Sequence, residues 1–172
     1  MNKNNKLPDD YSVDLTTFGN HKVAKILVDD LKNMYDTALK ENILLEINTS
    51  YRTKSDQQHI FDDTVSRYVK EGSSQKIATQ KTKKLVAPPG YSEHETGLAI
   101  DFSNNGNYDK KAKMWDWLSE NAYQYGFILR YPKGKEDITG YEYEPWHYRY
   151  VGKECAIIMH ERNLCLEEYK VI

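Results

Sequence analysis

The chain has 172 residues, 39% of them hydrophobic, and a formal net charge of −2 from 24 Lys+Arg and 26 Asp+Glu. That length suits one domain with its own core. The near-neutral balance excludes the basic footprint of a nucleic-acid binder and a polybasic membrane patch, and apolar runs such as 43–45 and 156–159 fall far short of the ~18 residues of a membrane span.

Residues 1–20 read as polar and irregular, with Pro8-Asp9-Asp10 as a turn signal. Residues 1–6 lack the apolar stretch of a secretory signal, so the chain is either cytoplasmic or has lost an export segment. Asn20 can cap a helix running to about residue 41, because Val23, Ile26, Leu27, Leu31, Met34, Tyr35 and Ala38 recur at helical spacing. Residues 44–51 read as a strand. Thr53 followed by Asp56 resembles a capping box, opening a helix with Ile60, Phe61, Val65, Tyr68 and Val69 on its apolar face and Gly72 at its end. Residues 73–84, with Lys76, Lys81, Lys83 and Lys84, read as a solvated loop, and Pro88-Pro89-Gly90 bars regular structure after it. Alternation at 97–103 predicts a strand. A helix follows over about 111–125, carrying Trp115, Leu118 and Ala122 and stopping at Gly126. Strands are predicted at 127–131 and 143–151, a helix at 153–161 and one more turn at 166–169. Strands and helices mix without strict βαβ order, which favours α+β with an antiparallel sheet.

Two segments supply chemistry: Ser92-Glu93-His94-Glu95-Thr96-Gly97-Leu98-Ala99-Ile100-Asp101 and Glu144-Pro145-Trp146-His147-Tyr148-Arg149-Tyr150. Two imidazoles, His94 and His147, with the Asp101 carboxylate suit a catalytic zinc that keeps one position for water. Glu144 is a spare carboxylate beside His147, suited to take a proton from that water. On a regular strand Gly97, Ala99 and Asp101 share one face and Leu98, Ile100 and Phe102 the other. The small pair makes a floor with room for a metal and a ligand; alternatively Asp101 only caps the strand. Glu144 and His147 differ in parity, but Pro145 removes a ladder donor and makes that strand irregular. The irregularity can bring both side chains to one site with Trp146 as a wall, or leave both as surface residues.

Arg52 and Gln57 can converge on one rim of a cleft, where a guanidinium binds a carboxylate bidentately; an ordinary salt bridge is the alternative. His21, His59 and His160 read as surface or satisfied core residues. Cys155 and Cys165 exclude a disulfide scaffold and a cysteine-type zinc site. They could pair with each other, although two buried thiols fit the pattern better. There is no Gly-rich phosphate loop and no Gly-x-Ser-x-Gly elbow.

The pattern Ser92-x-His94-x-x-Gly97-x-Ala99-x-Asp101 with Glu144-x-Trp146-His147 resembles the VanY-type zinc D-Ala-D-Ala carboxypeptidases, whose relatives include L,D-carboxypeptidases of wall remodelling and vancomycin-resistance D,D-peptidases. The likeness covers most of the chain, through Tyr51-Arg52-Thr53, Gln57, Gly126-Phe127-Ile128-Leu129-Arg130-Tyr131 and Leu166-Glu167-Glu168-Tyr169. One departure is local: Thr49-Ser50-Tyr51-Arg52 stands where Ser-Gly-Tyr-Arg is common. The resemblance implies a single small α+β domain over 1–172, a central antiparallel sheet flanked by helices and a zinc site on the sheet face. It implies one zinc per chain held by His94, Asp101 and His147, with Glu144 as catalytic carboxylate. Arg52, Gln57, Ser92 and Trp146 are implied substrate contacts, and Arg52 either binds the terminal carboxylate or helps hold the oxyanion.

The implied partner is a peptidoglycan stem peptide or a D-Ala-D-Ala-terminated precursor, with D,D- and L,D-carboxypeptidase activity both open. Residues 72–90 and 103–111 are the loops that would decide between them. Wall substrates imply action outside the membrane at the bacterial cell envelope, the alternative being cytoplasmic action on precursors. The competing reading is a non-catalytic zinc-binding recognition domain for wall peptide or a protein partner, which would retain His94, Asp101 and His147 but have no need of Glu144.

Overall fold

Residues 99–102 and 147–150 form the two central strands of a four-stranded antiparallel sheet. The structure, a computed structural model, describes residues 5–103 and 108–169. The elements in chain order are β1 (Leu15–Phe18), β2 (His21–Ala24), α1 (Val28–Lys40), β3 (Ile47–Thr49), α2 (Lys54–Lys70), α3 (Gln75–Leu85), β4 (Ala99–Phe102), α4 (Tyr108–Asn121), β5 (Phe127–Leu129), α5 (Glu136–Thr139), β6 (His147–Tyr150), α6 (Lys153–Glu161) and α7 (Leu166–Tyr169). The main sheet runs β3–β4–β6–β5, and β1 and β2 form a separate hairpin. The α+β class and the helix-flanked antiparallel sheet agree with the sequence reading.

Pleat and register decide what each sheet face carries. In an antiparallel pair, directly opposite residues share a face. Ile100 lies opposite Tyr148, and Asp101 opposite His147. Ile100, Phe102 and Tyr148 therefore enter the main core with Leu31, Met34 and Ala38 of α1 and Met114 and Leu118 of α4. Asp101 and His147 share the other face. A second cluster, Ile128, Ala156, Met159 and Leu166, anchors α6 and α7.

Several predicted elements come out differently, and the strands expected over 127–131 and 143–151 shorten to Phe127–Leu129 and His147–Tyr150. The helix expected from Asn20 starts only at Val28, because His21–Ala24 pairs with Leu15–Phe18 as a hairpin. Val23, Ala24 and Leu27 still turn inward, so their spacing satisfied both periods. For the same reason part of the stretch read as irregular is strand. The strand expected over 44–51 shortens to Ile47–Thr49, with Leu44 exposed. Residues 75–85, expected to be loop, form α3: Ala78 and Thr82 lie four apart and are both buried, and Ala78 packs against Phe61 and Val65 of α2. The lysines that suggested a loop lie on the solvent side. Of the loop expected over 103–111, residues 104–107 lie outside the described residues and helix begins at Tyr108.

Gly97 is not part of the floor beside Asp101. It follows a 3-10 turn, Glu93–Thr96, in the left-handed region at φ +70°. A Cβ there would meet Ala24 N and a Leu15 methyl at 3.0 Å, and Ala24 N–H donates to Gly97 O at 2.9 Å. Glycine is needed because the hairpin backbone approaches this closely.

Candidate metal centre and its cleft

Asp101 and His147 face each other across the β4–β6 register, with Asp101 Oδ1 3.0 Å from His147 Nδ1. His94 comes from the 3-10 turn leading into β4, and its Nε2 lies 3.3 Å from Asp101 Oδ2. The two imidazoles stand edge to face, 5.0 Å between centroids. One ligand atom from each of the three residues lies within 4.8 Å of the others, and all three residues are buried. Sequence separation is bridged here by register: β3 ends beside Asp101, and Ser50 O accepts a hydrogen bond from His94 Nδ1 at 2.7 Å. That bond puts the proton on Nδ1 and leaves the His94 Nε2 lone pair turned toward Asp101.

The donor set fits a divalent ion. Asp101 Oδ1 is buried and, although His147 Nδ1 lies 3.0 Å away, makes no well-aligned hydrogen bond, which normally signals a missing partner. Two imidazoles and a carboxylate at this spacing suit zinc. Burial alone would raise the Asp101 carboxyl, but His94 and His147 outweigh it and hold it well below the usual carboxylate range. Burial lowers His94. On His147 burial again opposes charge, but Asp101 and Glu93 prevail and raise it to about 9.

Glu144 lies in a turn that ends where β6 begins: His147 N–H donates to Glu144 O at 3.2 Å, and Glu144 N–H to Tyr131 O at 3.2 Å. The irregular backbone around Pro145 brings Glu144 Oε2 to 3.7 Å from His147 Nδ1 despite their opposite parity. Burial pushes the Glu144 carboxyl up to about 7, against the pull of His147. A carboxyl of that value can both take and return a proton near neutrality.

Arg52 follows β3 and reaches Asp101 Oδ2 at 3.5 Å. Its Nη1 donates to Gln57 Oε1 at 3.0 Å, and Gln57 Nε2 donates to Ala87 O at 2.7 Å. Gln57 is 1% exposed; its amide oxygen holds Arg52, and its amide nitrogen anchors it to the Ala87 carbonyl. Arg52, Gln57, Ser92, His94, Glu144 and Trp146 all border one cleft of about 230 Å3. The same cleft is also bordered by the apolar side chains Ile60 and Leu85 and the rings of Tyr131 and Tyr141. Ser92 N–H donates to Glu95 Oε1 at 3.3 Å, and that carboxylate also accepts from Gly90 N–H at 2.8 Å. Glu95 thus fastens the turn that presents His94. The Trp146 ring packs at 5.9 Å from Trp115. His21, His59 and His160 stand outside the cleft, and His160 stacks on Tyr123 at 3.6 Å. Cys155 and Cys165 are free thiols, the second buried.

Sequence reasoning missed a layer behind the metal centre: Glu93, Arg130, Arg149 and Tyr131. Glu93 is 2% exposed. Burial alone would raise its carboxyl, but Arg130 and Arg149 hold it far below the usual range. The signal was present, since Arg130 and Glu167 both sit in segments quoted for the family likeness, but nothing in one dimension links residues 93, 130 and 167.

Fold and site together define an α+β domain with, among the described residues, one candidate single-metal centre, set in a cleft beside the sheet. The chain belongs to the VanY family, described as D-alanyl-D-alanine carboxypeptidase, whose sequence model matches residues 20–153. It is 39% identical over 170 residues to a D-alanyl-D-alanine carboxypeptidase of Enterococcus faecalis, covering 98% of this chain and 63% of that protein. It is 36% identical over 141 residues to the bifunctional D-Ala-D-Ala dipeptidase and D-Ala-D-Ala carboxypeptidase VanXYC of Enterococcus gallinarum, covering 77% of this chain and 68% of that protein. The chain thus spans a little under two thirds of the length of the E. faecalis relative. Among solved structures, VanYB in complex with D-alanine-D-alanine superposes with a TM-score of 0.92 at 38% identity, over 99% of this chain and 94% of that one. A vancomycin-resistance D,D-pentapeptidase VanY with Zn(II) superposes at 0.91 and 38%, over 98% and 96%. The LdcB LD-carboxypeptidase superposes at 0.83 and 41%, over 99% and 83%.

Proposed function

We propose that this chain is a zinc-dependent carboxypeptidase that removes the C-terminal D-alanine from peptidoglycan stem peptides or D-Ala-D-Ala-terminated precursors. The observation that carries the reading is a spare carboxylate, Glu144, 3.7 Å from His147 at the edge of the His94–Asp101–His147 cluster. A purely zinc-binding recognition domain has no need of that carboxylate. The Zn(II) of the VanY structure and the D-alanine-D-alanine of the VanYB structure support the same ion and substrate class here.

His94, Asp101 and His147 would hold the zinc, which when bound supplies Lewis acidity toward the scissile carbonyl and the attacking water. Glu144 takes the proton of that water and returns it to the leaving amine of the terminal residue. Arg52, held by Gln57, offers a guanidinium to the substrate's terminal carboxylate, which makes the enzyme an exopeptidase. Ser92 and Trp146 border the same cleft as further substrate contacts. Water attack needs no covalent enzyme intermediate. A wall-peptide substrate fits action at the bacterial cell envelope. Among the described residues no helix is long and apolar enough to cross a membrane.

The deciding experiment is chromatographic release of D-alanine from defined tripeptide, tetrapeptide and pentapeptide stems, with and without a chelator. Release from the pentapeptide or tetrapeptide, lost with chelator and restored by zinc, is expected. Glu144→Ala should lower kcat by about 10²–10⁴-fold while retaining one zinc per chain. Full activity in Glu144→Ala removes the base assignment. A zinc-loaded wild type that releases nothing from any stem favours the recognition domain.

A further inference from the structure

Behind the metal cluster lies a buried, charge-balanced group that the catalytic reading does not use. Arg130 is fully buried and gives Nε to Glu93 Oε1 at 2.8 Å, Nη1 to Glu167 Oε2 at 2.9 Å and Nη2 to Glu167 Oε1 at 2.6 Å. Arg149 Nη1 lies 3.3 Å from the same Glu93 oxygen. Two guanidiniums and two carboxylates balance, so the group does not need a proton on His147 for neutrality. A buried carboxylate survives only when paired in this way.

The second oxygen of Glu93 is turned elsewhere. Glu93 Oε2 lies 3.7 Å from His147 Nε2. That separation exceeds a hydrogen bond, yet both atoms are buried with no hydrogen-bond partner, so each is an unpaired complement of the other. His147 meets Asp101 and Glu144 through Nδ1, so Nδ1 is its ligand atom and Nε2–H is its outer face. His94 has the matching arrangement with reversed nitrogens, its outer Nδ1 bonded to Ser50 O. A metal-ligating imidazole generally donates its second N–H to such an outer acceptor, which sets tautomer and ring orientation.

We propose that Glu93 is the positioning residue for His147, and that Arg130 and Glu167 extend this restraint to α7, so that the last helix helps set metal affinity. Glu167 can serve because α7 is itself fastened. Leu166 is buried, Lys135 Nζ donates to Glu168 at 3.0 Å, and Cys165 N–H donates to Glu168 Oε2 at 2.8 Å. The Tyr131 ring completes the setting, 5.0 Å from the His147 ring and 4.8 Å beneath the Arg130 guanidinium. The proposal rests on the metal reading but not on the peptide substrate, so a zinc-binding protein without peptidase activity would leave it standing.

The test uses the full chain stripped of metal, with Glu93→Gln and Glu167→Gln. Zinc affinity is read by competition with a chromophoric chelator, and ligand geometry by the visible spectrum of the cobalt(II)-loaded protein. Glu93→Gln is expected to weaken zinc about 10–100-fold and to shift the cobalt bands. Glu167→Gln should weaken zinc several-fold in the same direction. A purely structural role would lower the melting temperature of the metal-free protein and leave affinity and spectrum unchanged; that result in Glu93→Gln overturns the proposal. If Glu93→Gln does not fold, Glu167→Gln decides: reduced zinc affinity in the folded variant supports the clasp, and wild-type affinity overturns it. Weakened zinc in Glu93→Gln with no change in Glu167→Gln overturns the link to the last helix.

Discussion

Gln57 illustrates how one buried side chain can position another. Its amide oxygen accepts from Arg52 and its amide nitrogen donates to Ala87 O. The resemblance implies a substrate contact; Gln57 borders the cleft and also holds Arg52. Replacing it with Leu leaves an Arg52 N–H and the Ala87 carbonyl without partners, which costs about 1–3 kcal/mol for a buried group. Gln57→Leu should unfold at lower urea and raise KM for stem peptide more than it lowers kcat. Glu168 carries a pH signature. The Cys165 N–H and Lys135 draw its carboxyl down from its ordinary 4.5 to about 2. A depressed folded value means the contribution is present above about 4.5 and fades as pH falls toward 2. The melting temperature of Glu168→Gln should therefore lie below wild type at neutral pH, with the gap closing between pH 4.5 and 2. A gap that persists unchanged at pH 2 would show that packing, not the charge, holds α7.

At the scale of elements, the hairpin and α3 carry the clearest consequences. Gly97 joins the hairpin to the metal-binding turn through a backbone approach that a Cβ would block. Gly97→Ala combines an unfavourable φ of +70° with that contact and should cost more than about 1 kcal/mol. Because His94 lies three residues earlier, zinc affinity should fall with stability, read by chelator competition alongside a urea melt. The helix α3 makes a different claim from a lysine-rich loop. Amide hydrogens of residues 79–85 should exchange slowly, since their donors lie inside a helix whose Ala78 is fully buried. Exchange at loop rates would refute the α2–α3 packing. Both elements were misread for the same reason. A short segment with one apolar residue in three or four satisfies helix, strand and loop patterns alike, and only its neighbour selects one.

At the scale of the whole molecule, the site is assembled from the ends of β3, β4 and β6 and from the turn before β4. Three widely separated segments meet because the register sets Asp101 opposite His147 and Thr49 opposite Asp101. The core face of the same strands, Ile100, Phe102 and Tyr148, makes that register expensive to slip, since a one-residue shift would send the core side chains to the cleft. Phe102→Ala should therefore destabilise by about 3–5 kcal/mol and weaken zinc binding as well, although Phe102 faces away from the ion. A variant that melts earlier but binds zinc normally would separate core packing from register.

From the residues alone came the α+β class, the alternation of β4, the capping box of α2, and the two imidazoles with their aspartate and spare glutamate. Each is a local pattern or a choice of donor chemistry, and both are written in the order of side chains. Tertiary structure decided what depends on distance between remote segments. It determined that His21–Ala24 is a strand, that Gly97 yields to a neighbouring backbone, that Gln57 holds Arg52, and that Glu93, Arg130 and Glu167 stand in line behind His147. A buried charge needs its partner within a few ångströms and is indifferent to how many residues intervene, so only the folded chain reveals which carboxylate answers which guanidinium.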